Sequence, residues 1–127
     1  MAVSDQNAGG YKQSIPVKTT SHEQMVNITA EVQRLLPRGT HGICSIFCAH
    51  TTAALTVNEN ADPDVTEDIL LGLREAFPWE NIRYKHMEGN SAAHIKASVL
   101  GPDLFLPVVD GRLDLGTWQA IFFCEFD

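Results

Sequence analysis

Histidines occupy three polar, loop-bounded settings in this sequence, at His50, His86 and His94. Neutral imidazole is the commonest metal-binding side chain, and three imidazoles around an open coordination position suit a catalytic zinc or a similar ion. The spacing matches no established zinc signature. The residues alone therefore leave two hypotheses, a shared metal site or isolated surface and core histidines. His22 and His41 have no comparable setting, and we interpret them as surface residues.

A candidate anion site lies in Gly89-Asn90-Ser91, at the predicted start of a helix. Free backbone N–H groups at a helix N-terminus bind phosphate or carboxylate, and glycine lets such a ligand approach closely. Lys85 and Lys96 flank this segment, where they could neutralise a phosphate. Helix capping without any ligand is the alternative interpretation.

Carboxylates near these segments offer a general base or a group that orients a histidine. Asp68 is the preferred candidate, because a carboxylate at the border of an apolar helix stripe has little structural need. Asp62 precedes Pro63 and is explained as a helix N-cap. Glu125 lies on an otherwise apolar strand, where a charge needs a partner. The full set is Glu59, Asp62, Asp68, Glu88 and Glu125.

A further polar group lies at Leu115-Gly116-Thr117-Trp118-Gln119. Glycine before Thr-Trp predicts a bulge or a tight entry to the final strand. In a pocket, the indole of Trp118 could stack on a ring and the amide of Gln119 could form hydrogen bonds with it. A core tryptophan is an equally weighted alternative.

The elements that must position these residues predict an α+β domain with a mostly antiparallel sheet. Residues 1–10 are expected to form a flexible tail, and residues 11–127 a single domain. Hydrophobic periodicity and turn signals predict strands over about 11–20, 25–28, 42–49, 53–58, 104–109, 112–115 and 118–126, with an Asp110-Gly111 hairpin turn. Helices are predicted over 29–36, 63–77 and 92–100. A capping box at 21–24 that opens one longer helix is the alternative near the N-terminus.

Two details of this prediction concern the residues around His50. The apolar strand over 42–49 is expected to be buried on both faces. It is expected to turn back at His50-Thr51-Thr52 onto the strand over 53–58.

In the helix over 92–100, Ile95 and Val99 are expected to face the core.

Composition limits the class of partner. The chain of 127 residues has a net charge of -7, and its nine basic residues are scattered, so nucleic-acid binding is not expected. No apolar stretch approaches the roughly 18 residues of a membrane span, and the polar first residues predict no secretion signal. Cys44, Cys48 and Cys124 form no disulfide or metal-binding pattern. We interpret them as buried, reduced thiols of a cytoplasmic protein.

Four separated motifs together resemble the YjbQ-like family, over a range from about Tyr11 to the end of the chain. The motifs are His50-Thr-Thr-Ala-Ala-Leu-Thr-Val-Asn-Glu-Asn with Asp62-Pro63, His86-Met-Glu-Gly-Asn90, Ala93-His94-Ile-Lys-Ala-Ser, and Gly111-Arg-Leu-Asp-Leu-Gly-Thr-Trp-Gln119 through Glu125-Phe-Asp127. Members of this family are small α+β proteins that form trimers and are described as secondary thiamine-phosphate synthases. They commonly continue with Gly-Pro-Arg and a short basic tail, which this sequence does not include.

The resemblance implies a site in which His50, His86 and His94 bind a divalent metal. Imidazole favours zinc or a similar ion, whereas the diphosphate of the implied reaction usually travels with Mg²⁺. The expected catalytic residues are Asn58, Glu59 and Asp68. The expected substrate- or anion-binding residues are Thr51, Glu88, Gly89, Asn90, Thr117 and Gln119.

The implied reaction joins a pyrimidine-methyl diphosphate to a thiazole phosphate and releases diphosphate. It requires a divalent ion or cations that stabilise the leaving group. Two alternatives remain open. One is a metal-dependent hydrolase of a small phosphorylated substrate, and the other is a non-catalytic trimer that binds a small metabolite.

Overall fold

Antiparallel strands in two sheets, together with three helices, form the computed structural model, which describes residues 2–6 and 10–127. This arrangement confirms the predicted α+β class. The strands are β1 (Ala2–Gln6), β2 (Gly10–Ser14), β3 (Gln24–Asn27), β4 (Gly42–Phe47), β5 (Ala53–Glu59), β6 (Asp103–Val109), β7 (Arg112–Leu113) and β8 (Gln119–Glu125). The helices are α1 (Thr29–Leu35), α2 (Pro63–Ala76) and α3 (Ser91–Leu100).

The larger sheet has the strand order β2-β1-β4-β6-β7, and the smaller sheet has the order β3-β8-β5. The predicted hairpin turn joins β6 to β7, and both Asp110 (φ 52°) and Gly111 (φ 73°) have positive φ angles. Such a pair is typical of a type I′ turn, which matches the twist of the flanking strands. A Cβ atom on Gly111 would lie 2.9 Å from backbone atoms of Pro37 and Gly39, so this position requires glycine.

The central strand β8 is buried on both faces, between which its side chains alternate. Ile121 and Phe123 pack between the two sheets with residues such as Ile46 of β4 and Val32 of α1. Phe122 and its neighbours on the other face pack against the alanines of α3. The smaller sheet is therefore covered by the larger sheet on one side and by helices on the other.

The outer face of β4 is exposed, which corrects the prediction of a strand buried on both faces. Cys44 and Ile46 are buried, whereas Ile43 and Phe47 are 72% and 49% exposed. The apolar sequence of β4 indicated burial, but α2 and α3 pack on the smaller sheet, against the face that carries Phe122 and Cys124. An apolar strand sequence does not say what lies on its second face.

The segment His50-Thr51-Thr52 does not form a hairpin, which corrects the predicted pairing of its two flanking strands. Strand β4 pairs with β6, and β5 pairs with β8, so the segment passes from one sheet to the other. The connection after α3 holds the sheets together here, because the N–H of Cys48 donates to the Pro102 carbonyl (2.7 Å) and that of Leu55 to the Gly101 carbonyl (3.1 Å).

The buried face of α3 also differs from the prediction. Ile95 is half-buried and Val99 is 58% exposed, while the core-facing residues are Ala92, Ala93, Lys96 and Ala97. The small alanine side chains let α3 lie close to β8. The dense packing that results favours burial of this face over the face that carries the larger apolar side chains. Hydrophobicity alone pointed to the larger residues.

The ends of the remaining helices agree more closely with those predicted from the sequence. Asp62 caps α2 by accepting a hydrogen bond from Asp64 N (2.9 Å), and the helix ends before Pro78. Its apolar residues Val65, Ile69, Leu70 and Leu73 are half-buried, and Ala76 in its last turn is exposed. Near the N-terminus, a strand at 24–27 followed by α1 replaces the alternative of one longer helix.

At the N-terminus, the predicted strand over 11–20 is limited to Gly10–Ser14. The range predicted as a flexible tail contains β1, which pairs with β2 and contacts β4 through Ala2 and Phe47. Residues 1 and 7–9 of that range lie outside the described residues. Within the part that is described, no helix has the length and apolar character needed to cross a membrane.

A buried ion pair fixes α3 to the rest of the fold. The side chain of Lys96 is 1% exposed, and its Nζ lies 3.0 Å from Glu23 Oε2. The other oxygen of Glu23 lies 3.8 Å from the guanidinium of Arg74 on α2. Lys96 is thus a structural residue and not the phosphate-binding flank that its sequence position suggested.

Replacing Lys96 with alanine should lower the free energy of unfolding by about 3–5 kcal/mol, because Glu23 would keep a poorly solvated charge without its main partner. Lys96→Met, which fills the space, combined with Glu23→Gln should cost less. Urea denaturation measures both effects. Lys85→Ala is the matched surface control, with an expected change within about 0.5 kcal/mol. A loss below about 1 kcal/mol for Lys96→Ala would contradict this assignment.

Candidate functional site

Two of the predicted metal ligands, His86 and His94, come together at the start of α3. Their ring centroids lie 5.4 Å apart, and their ring planes meet at 86°. His86 belongs to the loop between α2 and α3, and His94 lies one turn into α3. A rigid helix therefore holds one imidazole, while a loop presents the other.

These rings border a pocket of about 480 Å³. The pocket is lined by Arg83, Tyr84, Lys85, His86, Ser91, His94 and Ile95. Two basic side chains beside two imidazoles favour a ligand that carries negative charge. Lys85 was predicted to flank the anion site, whereas Arg83 and Tyr84 were not, although alternating basic residues before His86 were a usable signal.

Hydrogen bonds shape the loop that carries His86, which comprises residues 77–90. The N–H of Arg83 donates to Asn81 Oδ1 (2.9 Å), and that of Tyr84 donates to the Asn81 carbonyl (2.9 Å). The Tyr84 hydroxyl donates to the Pro78 carbonyl (3.3 Å). The loop therefore has a defined turn that directs Arg83 and Lys85 towards the pocket.

The spacing of the two rings fits a shared metal ion. Zn–N bonds of about 2.0–2.1 Å in a tetrahedral site place two imidazole centroids roughly 5 Å apart, close to the 5.4 Å observed. Among the described residues, no group of three or more His, Cys, Asp or Glu side chains is arranged to hold a metal. The structure thus brings together two of the three predicted histidines and does not bring His50 into their group.

His50 and Thr51 are exposed in the link between the sheets. The carbonyl of Thr52, the next residue, accepts a hydrogen bond from Phe126 N (3.2 Å). Asp127 follows Phe126, and its Oδ2 accepts from Asn90 Nδ2 (2.8 Å) at the start of α3. These contacts place the His50 segment, the residues that follow β8 and the start of α3 at one end of the molecule.

The predicted anion-binding segment forms the turn that starts α3. Gly89 has φ 77°, and its N–H donates to the His86 carbonyl (3.2 Å). Asn90 occupies the N-cap position, but its side chain makes no capping hydrogen bond. Its Oδ1 is buried without a hydrogen-bond partner among the described residues. Glu88 is exposed beside this turn.

The other predicted residues lie away from this end of the protomer. Asn58 and Glu59 are at the far end of β5, about 20 Å from its start at ~3.3 Å per residue. Asn58 Oδ1 accepts from Glu59 N (2.7 Å), and Gln119 Oε1 accepts from Gly116 N (2.8 Å). Gln119 lines a second cleft of about 540 Å³ beside α1.

Two further predicted residues are exposed in the protomer. Asp68 lies on the exposed side of α2, and Thr117 lies in the loop before β8. Trp118 is 65% exposed, so it is not a core residue. Glu125 has the polar partners that its strand position required, because its oxygens accept from Thr19 Oγ1 (3.2 Å) and Asp127 N (3.2 Å).

The fold and the pocket define a small antiparallel α+β protein with a paired-imidazole site. The sequence profile described as "UPF0047 protein YjbQ-like" matches residues 13–127, and the chain belongs to this family. It is 50% identical over 116 residues to the UPF0047 protein YugU of Bacillus subtilis, with 90% of this chain and 88% of that protein covered. It is 44% identical to the UPF0047 protein MJ1081 of Methanocaldococcus jannaschii, with 87% and 81% covered.

Solved structures show the same fold. An uncharacterized conserved protein of the family from Clostridium acetobutylicum superimposes with a TM-score of 0.83 at 48% identity, covering 87% of each chain. The conserved hypothetical protein TT1486 from Thermus thermophilus gives a TM-score of 0.81 at 45% identity, covering 85% of each chain. These relatives support the fold and the family, and their descriptions name no activity.

The cysteines are free, buried thiols, as the sequence predicted. Burial raises the pKa of Cys44 and Cys48 above the usual range, and it raises the pKa of Cys124 to about 12. A raised pKa means that the thiol stays protonated at neutral pH and is a poor nucleophile and metal ligand. The thiols therefore belong to the core.

At pH 8 the folded protein should react slowly with a disulfide reagent such as Ellman's reagent, because the thiols are buried and protonated. For Cys124 the raised pKa alone lowers the thiolate fraction roughly a thousandfold. The reaction of the unfolded chain in guanidinium, followed by absorbance, is the control and should be fast for all three thiols. A thiol that reacts equally fast in both states would contradict the assignment.

Proposed function

We propose that the protein is a homotrimeric enzyme that binds a divalent metal ion and a small phosphorylated substrate in the His86–His94 pocket. We further propose secondary thiamine-phosphate synthase as its activity. The observation that supports this most directly is the pair of imidazoles, 5.4 Å between centroids, beside the two cations that line the same pocket.

His86 and His94 would hold the ion through neutral imidazole nitrogens. When bound, a divalent ion supplies Lewis-acid stabilisation of negative charge on phosphate oxygens. Arg83 and Lys85 can provide charge-assisted hydrogen bonds to the same phosphates. The turn at Gly89 adds the start of α3, where backbone N–H groups favour an anion.

In the proposed reaction, the thiazole nitrogen forms a bond to the methylene carbon of the pyrimidine-methyl diphosphate. The carbon–oxygen bond breaks, and diphosphate leaves with the bonding electrons. The chain's contribution is to orient the two substrates and to offset the charge that develops on the leaving oxygen. Arg83 and Lys85 are placed for the second of these roles.

Within one protomer, this pocket is not lined by the catalytic candidates Asp68, Glu59 and Asn58. Their functions, and those of Thr51, Glu88, Thr117 and Gln119 in substrate binding, stay predictions. Metal-dependent hydrolysis of a small phosphorylated substrate is a second candidate, favoured by nitrogen donors that suit zinc better than Mg²⁺. Three free thiols support a cytoplasmic location, which is also part of the proposal.

Self-association is supported by the exposed face of the larger sheet. Ile43 and Phe47 on β4 are 72% and 49% exposed, and Phe105 and Val109 on β6 are 67% and 49% exposed. Pro107 pairs with Ile43 across the same face. A contiguous apolar sheet face of this kind marks an interaction site, and a homotrimer would cover it.

Replacing His94 with alanine should remove at least 90% of the bound zinc under subsaturating conditions, because about a tenfold loss of affinity or more follows from losing one ligand. Zinc content per protomer is measured by mass spectrometry after dialysis. Thiamine-phosphate formation from the two phosphorylated substrates, measured by chromatography, should fall in parallel. Circular dichroism checks that the variant is folded.

His41→Ala is the matched control, since His41 is exposed in the turn region next to Asp110. Its zinc content and turnover should equal those of the wild type. Zinc binding without turnover on the synthase substrates, but with release of phosphate from simple esters, would favour the hydrolase. Ligand binding without any turnover would favour a binding protein, and a wild type that binds no metal would refute the proposed site.

Replacing Ile43 with aspartate should convert the trimer to a monomer, because a charge would be buried in an apolar interface. Sedimentation velocity at micromolar concentration should show the monomer mass of 14.0 kDa for the variant only. Leu71→Asp is the control, since Leu71 is 45% exposed on α2, away from the sheet face. A monomeric wild type would contradict the assembly.

A further inference from the structure

We propose that the cleft beside α1 is a second binding site, which takes a small organic cation with an apolar chain and a hydrogen-bond acceptor. The cleft has a volume of about 540 Å³, and it shares no lining residue with the His86–His94 pocket. The second site is therefore independent of the function proposed for that pocket.

Hydrogen bonds between elements build the walls of the cleft. Gln33 of α1 bridges to the larger sheet, because its Nε2 donates to the Gly111 carbonyl (2.8 Å) and its Oε1 accepts from Leu113 N (2.9 Å). Thr29 at the start of α1 bridges to the smaller sheet, since its Oγ1 accepts from Ile121 N (2.8 Å). These contacts fix both sides of the cleft and use the polar groups of Thr29 and Gln33.

Two other side chains that line the cleft keep unused hydrogen-bonding groups. Glu31 Oε2 is buried without a partner among the described residues. Gln119 accepts from Gly116 N through its Oε1 (2.8 Å), whereas its Nε2 donates to no group within residues 2–6 and 10–127. A charged acceptor and a neutral donor are thus left for a ligand, since buried polar groups in native proteins nearly always have a partner.

Glu31 gives the cleft a negative charge. The guanidinium of Arg34 lies 4.0 Å from its other oxygen and is 72% exposed, so this ion pair offsets little of the charge. The side chain of Glu31 is 41% exposed, and rotation about its last, broadly populated torsion turns Oε2 towards a ligand. The net charge of -7 on the chain also favours a cation over an anion.

The apolar part of the lining selects the body of the ligand. Leu113 and Leu115 are half-buried, and an alkyl chain that covers them would be removed from water together with them. An ammonium group would donate to Glu31, and a nearby carbonyl oxygen would accept from Gln119 Nε2. Amides of apolar amino acids combine these three groups, so L-leucinamide is the probe.

Titration of the full chain with L-leucinamide, followed by amide NMR at pH 6, tests the site with the amine of the probe protonated. Its affinity should be at least tenfold higher than that of 4-methylpentanamide, which has the same chain and amide but no ammonium group. The signals that shift should include those of Glu31, Leu113 and Gln119. Equal affinities for the two compounds, or shifts confined to the His86–His94 pocket, would overturn the proposal.

Glu31→Gln keeps the shape of the side chain and removes its charge. The variant should bind L-leucinamide at least tenfold more weakly and 4-methylpentanamide as the wild type does, so the preference between them falls to about one. Glu67→Gln is the matched control, because Glu67 is an exposed carboxylate on α2 outside the cleft. It should keep the full preference. A preference that survives Glu31→Gln, or an equal loss of both affinities, would refute the role of the charge.

Ala30→Phe is a second variant, which tests the position of the ligand without changing a charge. Ala30 lines the cleft from an exposed position on α1, so a phenyl group there should fill the cleft and weaken both compounds at least tenfold. Circular dichroism checks that the fold is kept. His94→Ala should bind L-leucinamide as the wild type does. Loss with His94→Ala but not with Ala30→Phe would place the ligand in the other pocket and exclude this one.

Discussion

Burial of both faces of β8 is the constraint on which the rest of the structure depends. The strand forms the middle of the smaller sheet and presents Ile121 and Phe123 to the larger sheet, with Phe122 and Cys124 facing the helices. Each face determines the position of a different layer. The helix α3 lies where its alanines meet β8, and this placement carries His94 to the edge of the sheet.

The two residues that follow β8 connect it to the pocket. Phe126 N bonds to the Thr52 carbonyl, and Asp127 accepts a hydrogen bond from Asn90. Below the helix, the Lys96–Glu23 ion pair holds α3 from its buried side. The position of one imidazole is therefore set by packing and hydrogen bonds, while that of the other depends on a loop.

The sequence predicted most elements, because turn residues and caps act locally. Asp62-Pro63, Pro78, Gly101 and Asp110-Gly111 each mark an end that the structure confirms. What it did not predict was which faces are covered. Ile43 and Phe47 have the same apolar character as buried strand residues, and only the arrangement of the layers leaves them exposed. For the same reason Lys96 gave no sign that it was buried.

The sequence predicted only part of the candidate site, because local patterns do not specify how distant segments are arranged. The sequence motifs included His86 and His94, and these residues lie together because only four residues separate His86 from α3 and His94 lies one turn into that helix. The position of His50 relative to them depends on how the two sheets are arranged, which no local pattern encodes. Asn58 and Gln119 belong together at the other end of β5 and β8, because antiparallel pairing sets Glu59 opposite Gln119.

The loop over residues 77–90 contributes to the pocket but not to either sheet. Trp79 at its start packs against the core cluster that includes Phe122 and Cys124 of β8, whereas its later turn is maintained by Asn81 and by the Tyr84 hydroxyl. Insertions or exchanges in this later turn can therefore change which molecules enter while the scaffold stays intact. Within such a scaffold, substrate choice can diverge between relatives faster than the architecture that supports it.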